Sequence, residues 1–136
     1  MSYQKCIKLA GANVLLFKEF GSYQGDWWAK VEYNNKTGWI NGSYGSCSGC
    51  DAFLGEFDFD SHEHKDNSYV NYYDMPEQYK ENCIECQDLV KRMKEFGKSY
   101  LDDIMTQEKA EIEASKNLEW DLDAQEMFDY IKNNKI

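Results

Sequence analysis

The chain has few basic residues, few histidines and no long apolar run, and each shortage excludes a class of protein. Its 136 residues carry 15 bases against 25 acids, which gives a net charge of -10 and excludes the basic surface typical of nucleic-acid-binding proteins. No apolar run approaches the roughly 20 residues that cross a bilayer, and residues 1–11 lack the charged start and apolar centre of a signal peptide. We therefore expect a cytoplasmic protein that contacts neither membranes nor nucleic acids directly.

The sequence also lacks the features that separate domains. It has one proline, Pro76, and neither a Gly/Ser-rich linker nor an internal repeat. A chain of 136 residues has the usual size of one compact domain. We therefore predict a single domain over residues 1–136. Its acidity is concentrated, since residues 51–80 hold 8 acids against 2 bases and residues 99–136 hold 10 acids against 4 bases.

The spacing of apolar residues divides this domain into a β-rich and an α-rich part. Residues 1–50 contain alternating and β-branched runs separated by a hairpin loop at residues 34–38, which predicts an antiparallel meander. Residues 76–136 show helical spacing, which predicts a first helix from Asp74 or Pro76 to Gly97 and one or two more over 100–115 and 120–131. The predicted fold is α+β, with the meander packed against two or three C-terminal helices and joined to them by an acidic loop or short helix at residues 51–75.

Two Cys-x-x-Cys pairs are the densest chemical feature. Cys47 and Cys50 lie in a turn of small residues after a predicted strand. Cys83 and Cys86 lie on the first predicted helix, where a spacing of three puts both sulfur atoms on one face. Because zinc prefers four tetrahedral ligands and binds thiolates well, the two pairs predict one structural zinc site.

Other interpretations of the cysteines stay open. Cys83 and Cys86 also fit an apolar helical face, where free cysteine is an ordinary core residue. Cys47 and Cys50 sit where a short helix over residues 50–57 would begin, a placement that stabilises thiolates in thiol oxidoreductases. Asp51 opposes thiolate formation, so we expect this pair not to cycle as a dithiol. The odd fifth thiol of Cys6 argues against a disulfide framework.

The two histidines and the motif search add little. His62 and His64 could supply imidazole ligands, although histidines in an acid-rich loop are more often solvated. The sequence has no nucleophile elbow, phosphate-binding loop or His-Glu-x-x-His helix. An enzymatic activity therefore has little support.

Aromatic and acidic residues provide candidates for binding a partner. Adjacent Trp27 and Trp28 face opposite sides of a strand, so one of them needs a covering helix or a partner protein. Acidic surfaces steer association with basic sites, and exposed aromatic side chains anchor it. We predict contacts to a basic site on a partner protein from six residues: Trp28, Tyr72, Asp102, Asp103, Glu111 and Glu113.

Residues 21–29 and 38–53 contain a Gly-Ser-Cys-Ser-Gly-Cys-Asp-Ala core and resemble small bacteriophage-encoded proteins with that motif. The resemblance covers about a fifth of the chain and implies phage origin and a bacterial host cytoplasm. It assigns no catalytic residue.

Three functional hypotheses follow. The first is a non-enzymatic phage accessory protein that binds and modulates a host protein through acidic surfaces, including as a nucleic-acid mimic. The second is a small zinc- or ligand-binding domain centred on the Cys-Ser-Gly-Cys turn. The third is a thiol-disulfide oxidoreductase.

Overall fold

A computed structural model describes residues 2–116, 118 and 123–136, and it confirms the α+β class. A three-stranded antiparallel sheet in the order β1-β2-β3 follows an N-terminal helix. A short helix and a small two-stranded sheet come next, and three longer helices follow. The elements are α1 (Ser2–Leu9), β1 (Asn13–Gly21), β2 (Gly25–Tyr33), β3 (Lys36–Tyr44), α2 (Ala52–Phe57), β4 (Ser61–Glu63), β5 (Tyr69–Asn71), α3 (Ile84–Tyr100), α4 (Gln107–Ser115) and α5 (Ala124–Asn133), with a 3-10 helix at Tyr72–Asp74.

A two-residue turn joins β2 to β3. Asn34 and Asn35 have φ angles of 50° and 63°, a left-handed conformation that asparagine tolerates and that matches the twist of a hairpin. The turn pairs Tyr33 with Lys36, so the predicted hairpin is confirmed and its loop is shorter than the sequence suggested.

Helices cover both faces of the three-stranded sheet. Trp27, Ala29 and Val31 of β2 point into the larger core, which is completed by side chains of α1, α2 and α3. Trp28 and Trp39 point the other way and pack with residues of α4 and α5. The alternation predicted for β2 is confirmed, and helices cover the second face.

The N-terminal helix is a correction to the sequence interpretation, which expected strands and turns up to residue 45. Tyr3, Cys6 and Ile7 of α1 are buried, and α1 packs directly on α3. The two helices can approach because α3 presents Gly97 at the crossing, where a Cβ atom would collide with the carbonyl oxygen of Cys6. Gly97 therefore serves close packing, and the prediction that it ends the helix is wrong, since α3 continues to Tyr100.

The start of α3 also differs from the prediction. The helix begins at Ile84 with Cys83 as its N-cap, whereas the segment around Asp74 and Pro76 forms the 3-10 helix and a turn. The helical spacing from Tyr79 to Cys83 is misleading, because Tyr79 follows the turn at residues 75–78 and Cys83 is the N-cap of α3.

The last two helices follow the prediction more closely. Helix α4 is capped by the Thr106 side chain, and α5 buries Met127 and Ile131 as its apolar spacing indicates. Trp120 and Asp121, which the sequence assigned to the last helix, lie outside the described residues. Within the described ranges, no helix combines the length and apolar character that crossing a membrane requires.

Candidate metal centre

The small β4–β5 hairpin positions two imidazoles. His62 lies in β4 opposite Val70 of β5, and His64 follows directly after β4. Residues two apart on an extended chain project to the same side, which brings the two rings to a centroid distance of 5.1 Å. His64 is buried at 7% exposure.

The first turn of α3 positions two thiols opposite the imidazoles. Cys83 is the N-cap, and its sulfur accepts a hydrogen bond from the Cys86 backbone N–H at 3.4 Å. Cys86 is fully buried among core side chains of α3. The Cys-x-x-Cys spacing at a helix start therefore places both sulfurs on the side that faces the hairpin.

The four side chains converge on one point. The Nε2 atom of His62 lies 3.3 Å from Cys86 Sγ and 3.4 Å from Cys83 Sγ, and His64 Nε2 lies 3.1 Å from Cys86 Sγ. One donor atom from each of the four residues lies within 4.8 Å of every other. This cluster of His62, His64, Cys83 and Cys86 is called the His/Cys cluster below.

The geometry of the His/Cys cluster fits zinc. A tetrahedral ion with Zn–S of about 2.3 Å and Zn–N of about 2.0 Å separates its sulfur and nitrogen ligands by roughly 3.5 Å. The sulfur to nitrogen distances of 3.1 to 3.4 Å are close to that separation. Two thiolates and two neutral imidazoles also favour zinc over calcium or magnesium, because calcium and magnesium take oxygen ligands.

Burial shapes the chemistry of the buried sulfur. Desolvation raises the pKa of the Cys86 thiol, because the low-dielectric surroundings disfavour the thiolate. A divalent cation in the cluster would oppose this effect by stabilising the thiolate directly. The site therefore combines a thiol that is neutral by itself with a geometry suited to a cation.

The predicted four-cysteine zinc site requires a correction. Cys83 and Cys86 lie in the His/Cys cluster, but Cys47 and Cys50 lie in an exposed turn and form a disulfide with each other. The turn before α2 faces α1 and β3 rather than the start of α3, so the two pairs do not meet. The sequence argued against a disulfide framework and did not predict this single bond within one turn.

Asp51 organises the turn that holds the first pair. Its carboxylate accepts hydrogen bonds from the Tyr3 hydroxyl at 2.7 Å, the Gly45 N–H at 2.8 Å and the Leu54 N–H at 3.0 Å. Gly45 is required here because a Cβ atom would collide with the Cys50 carbonyl. Asp51 thus links α1, the turn and the start of α2.

The predicted partner-binding residues have different environments. Trp28 is 2% exposed beneath α4 and α5, so its assignment as an exposed anchor is wrong. Tyr72 is half-buried against Phe53. The four acids remain at least partly accessible: Asp102 and Asp103 are exposed between α3 and α4, and Glu111 and Glu113 are half-buried on α4.

Sequence reasoning considered the two histidines but did not join them to the second cysteine pair. The available signal was the combination of His-x-His with Cys-x-x-Cys, two short motifs that each supply two ligands on one side of their element. What the sequence could not show is that a hairpin lies between them and turns one motif toward the other.

No protein family, curated protein or solved structure matches this chain. The resemblance carried by residues 21–29 and 38–53 therefore stays a prediction. The donor atoms and their geometry are the basis for assigning a function.

Proposed function

We propose that this chain is a zinc-binding α+β domain in which the His/Cys cluster holds one structural zinc ion. The observation that supports the proposal is that four ligand atoms of the types zinc prefers lie within 4.8 Å of one another. Four protein ligands complete a tetrahedral site and leave no position for a substrate or a reactive water. The metal would accordingly stabilise the fold rather than catalyse a reaction.

Zinc would tie the β4–β5 hairpin to α3. The two strands of the hairpin have three residues each, and a short two-stranded hairpin is marginally stable alone. Val70 from β5 and Cys86 from α3 are both buried in the larger core, so the cluster lies at the edge of that core. A metal at this position joins a weak element to a long helix, and its binding free energy contributes directly to folding.

Zinc content and stability test the proposal. Protein purified without chelator should contain one zinc per chain by native mass spectrometry, and removal of the metal should lower the melting temperature. Substitution of cobalt(II) for zinc should give the thiolate-to-cobalt absorption of a two-sulfur tetrahedral site. Protein that binds no zinc from a buffered solution, or that keeps its melting temperature after zinc removal, would contradict the proposal.

We further propose that the exposed acidic loop between α3 and α4 binds a basic site on a partner protein, with a bacterial host protein as the expected partner. The supporting observation is that Asp102 and Asp103 are adjacent and exposed. Asp103 Oδ2 forms an exposed salt bridge with Lys109 Nζ at 3.2 Å. Such a salt bridge contributes little free energy, so a partner could replace it. A nucleic-acid mimic would use the same charges.

Charge reversal tests this second proposal. Asp102→Lys with Asp103→Lys should abolish capture of the partner from a bacterial lysate, and added salt should weaken capture by the unchanged protein. Capture that survives both changes would contradict a role for these acids. Because both residues are exposed, the double variant should keep the melting temperature of the parent protein within a few degrees.

A further inference from the structure

The loop that joins β4 to β5 holds Ser68 beside the imidazole of His64. The His64 backbone N–H donates to the Ser68 backbone carbonyl at 2.8 Å, and the Asn67 backbone N–H donates to the His64 carbonyl at 2.9 Å. Asn67 has a φ angle of 68°, which asparagine adopts more readily than most residues and which closes the loop. These backbone contacts set the two side chains next to each other.

A chain of hydrogen bonds runs from the surface to this imidazole. The Lys80 ammonium donates to Asp66 Oδ2 at 2.6 Å, and the Ser68 hydroxyl donates to Asp66 Oδ1 at 2.6 Å. The Ser68 backbone N–H donates to the same Oδ1 atom at 3.0 Å. The Ser68 Oγ atom then lies 3.2 Å from His64 Nδ1.

The direction of the protons in this chain follows from the donors available. A carboxylate has no proton to donate, so the short contact between Ser68 and Asp66 requires the single hydroxyl proton of Ser68. The Ser68 oxygen therefore faces His64 with a lone pair, and His64 Nδ1 must carry the proton that fills this contact. In a neutral imidazole with Nδ1 protonated, Nε2 is unprotonated. Nε2 is the atom that lies 3.1 Å from Cys86 Sγ.

We propose that Ser68 and Asp66 are positioning residues of the zinc site, which fix His64 in the tautomer and orientation that present Nε2 to the metal. This inference rests on the proposed zinc site. Zinc-bound histidines commonly donate their second N–H to an outer acceptor, which raises the basicity of the ligand and reduces the ordering that binding requires. Lys80 holds Asp66 in place for that purpose.

The other histidine provides an internal comparison. His62 directs Nε2 toward both sulfurs, but among the described residues its Nδ1 atom has no hydrogen-bond partner. His64 should therefore be fixed in one tautomer before metal binds, whereas His62 should become fixed only when the metal binds.

Removal of the Ser68 hydroxyl tests the proposal. Ser68→Ala should raise the zinc dissociation constant by about 10- to 100-fold, the usual effect of losing an outer partner of a metal ligand. Ser68→Thr keeps the hydroxyl and should restore most of the affinity. Ser61→Ala is the matched control, because Ser61 lies on the same hairpin but accepts its hydrogen bond from the Tyr69 hydroxyl. Zinc affinity would be measured by competition with a chromogenic chelator.

Nitrogen NMR of the unaltered protein gives a second measurement that needs no variant. His64 should show a protonated Nδ1 and an unprotonated Nε2 with and without zinc, and His62 should show this pattern only with zinc. Coordination of zinc through Nδ1 of His64, or a Ser68→Ala affinity loss well below about 10-fold, would overturn the positioning role. Both results require that zinc binds, so they differ from failure of the zinc site itself, in which the unaltered protein binds no zinc.

Discussion

The two Cys-x-x-Cys pairs have the same spacing, and each lies at the start of a helix, yet their surroundings differ. Cys47 and Cys50 lie exposed in the turn before α2 and are joined to each other. Cys83 and Cys86 begin α3, and Cys86 is fully buried beside two imidazoles. The spacing that brings two sulfurs together is thus common to both, and the side chains opposite each pair decide what it can bind.

The neighbours of each pair explain the difference. The first pair adjoins Asp51, whose carboxylate is already occupied by Tyr3, Gly45 and Leu54. No further metal-ligating side chain among the described residues joins that pair in a cluster. The second pair faces the imidazoles of the β4–β5 hairpin. One pair is therefore suited to close its own turn, and the other to share a cation.

Replacing each pair in turn should give the largest contrast. Cys83→Ser with Cys86→Ser should remove the bound zinc and lower the free energy of unfolding by on the order of 5 kcal/mol, a part of the ~10–16 kcal/mol that structural zinc contributes in zinc-finger peptides. Cys47→Ser with Cys50→Ser should keep one zinc per chain. This second variant should lose about 2 kcal/mol or less in free energy of unfolding, because the disulfide closes a loop of only a few residues. Native mass spectrometry and urea unfolding of both variants would measure this.

Equal zinc loss in the two double variants would contradict the division of roles. Retention of zinc after loss of Cys83 and Cys86 would do so as well. Unfolding should be compared in the presence and absence of a thiol reductant, since reduction affects only the first pair of the unaltered protein.

Asp51 should stabilise the turn that holds Cys47 and Cys50 more than the disulfide does. Asp51→Ala removes the N-cap of α2 and leaves the Tyr3 hydroxyl and the Gly45 N–H without their acceptor. We expect a loss of about 3 kcal/mol, because the cap contributes about 1 kcal/mol and the buried Tyr3 hydroxyl left unpaired costs about 1–3 kcal/mol. The Gly45 N–H is only half-buried and adds less. Zinc content should not change. Asp51→Asn keeps one oxygen acceptor and should lose less stability. A loss of zinc in either variant would show that the turn before α2 is coupled to the His/Cys cluster.

The sequence predicted what depends on local spacing. The alternation in β2, the hairpin at Asn34 and Asn35 and the apolar face of α5 all follow from neighbouring residues. Apolar spacing failed before α3, where Tyr79 continues the helical period although it lies outside the helix. It also failed for α1, whose burial depends on a distant partner in α3.

The metal site was half predicted for the same reason. Cys83 and Cys86 are candidate ligands that a motif of three-residue spacing identifies by itself. The assignment of His62 and His64 depends on tertiary structure, because residues 61–71 form a hairpin that faces the start of α3. Gly97 is comparable, because its role depends on the backbone of Cys6 crossing it and not on its own neighbours.

The smallest expected effect concerns Tyr3, which links α1 to the first turn. Its hydroxyl donates to Asp51 at 2.7 Å and accepts from the Phe53 N–H at 3.2 Å. Tyr3→Phe removes both contacts and should cost about 1–2 kcal/mol at neutral pH without changing zinc content. A cost equal to that of Asp51→Ala would mean that Tyr3, rather than the helix cap, holds the turn.

The pH dependence of that cost tests whether the Tyr3 hydroxyl is buried and bonded to Asp51 in the folded protein. Burial first, and the hydrogen bond to Asp51 second, raise the pKa of Tyr3 above its ordinary value of about 10. Above pH 10 the unfolded chain therefore releases the Tyr3 proton while the folded chain retains it, so the stability that Tyr3 provides falls as pH rises. Tyr3→Phe cannot ionise at this position, and the stability gap between the two proteins should shrink between about pH 9 and pH 11. Urea unfolding of both proteins across that range measures the gap, and a constant gap would show that folding neither desolvates the Tyr3 hydroxyl nor bonds it to Asp51.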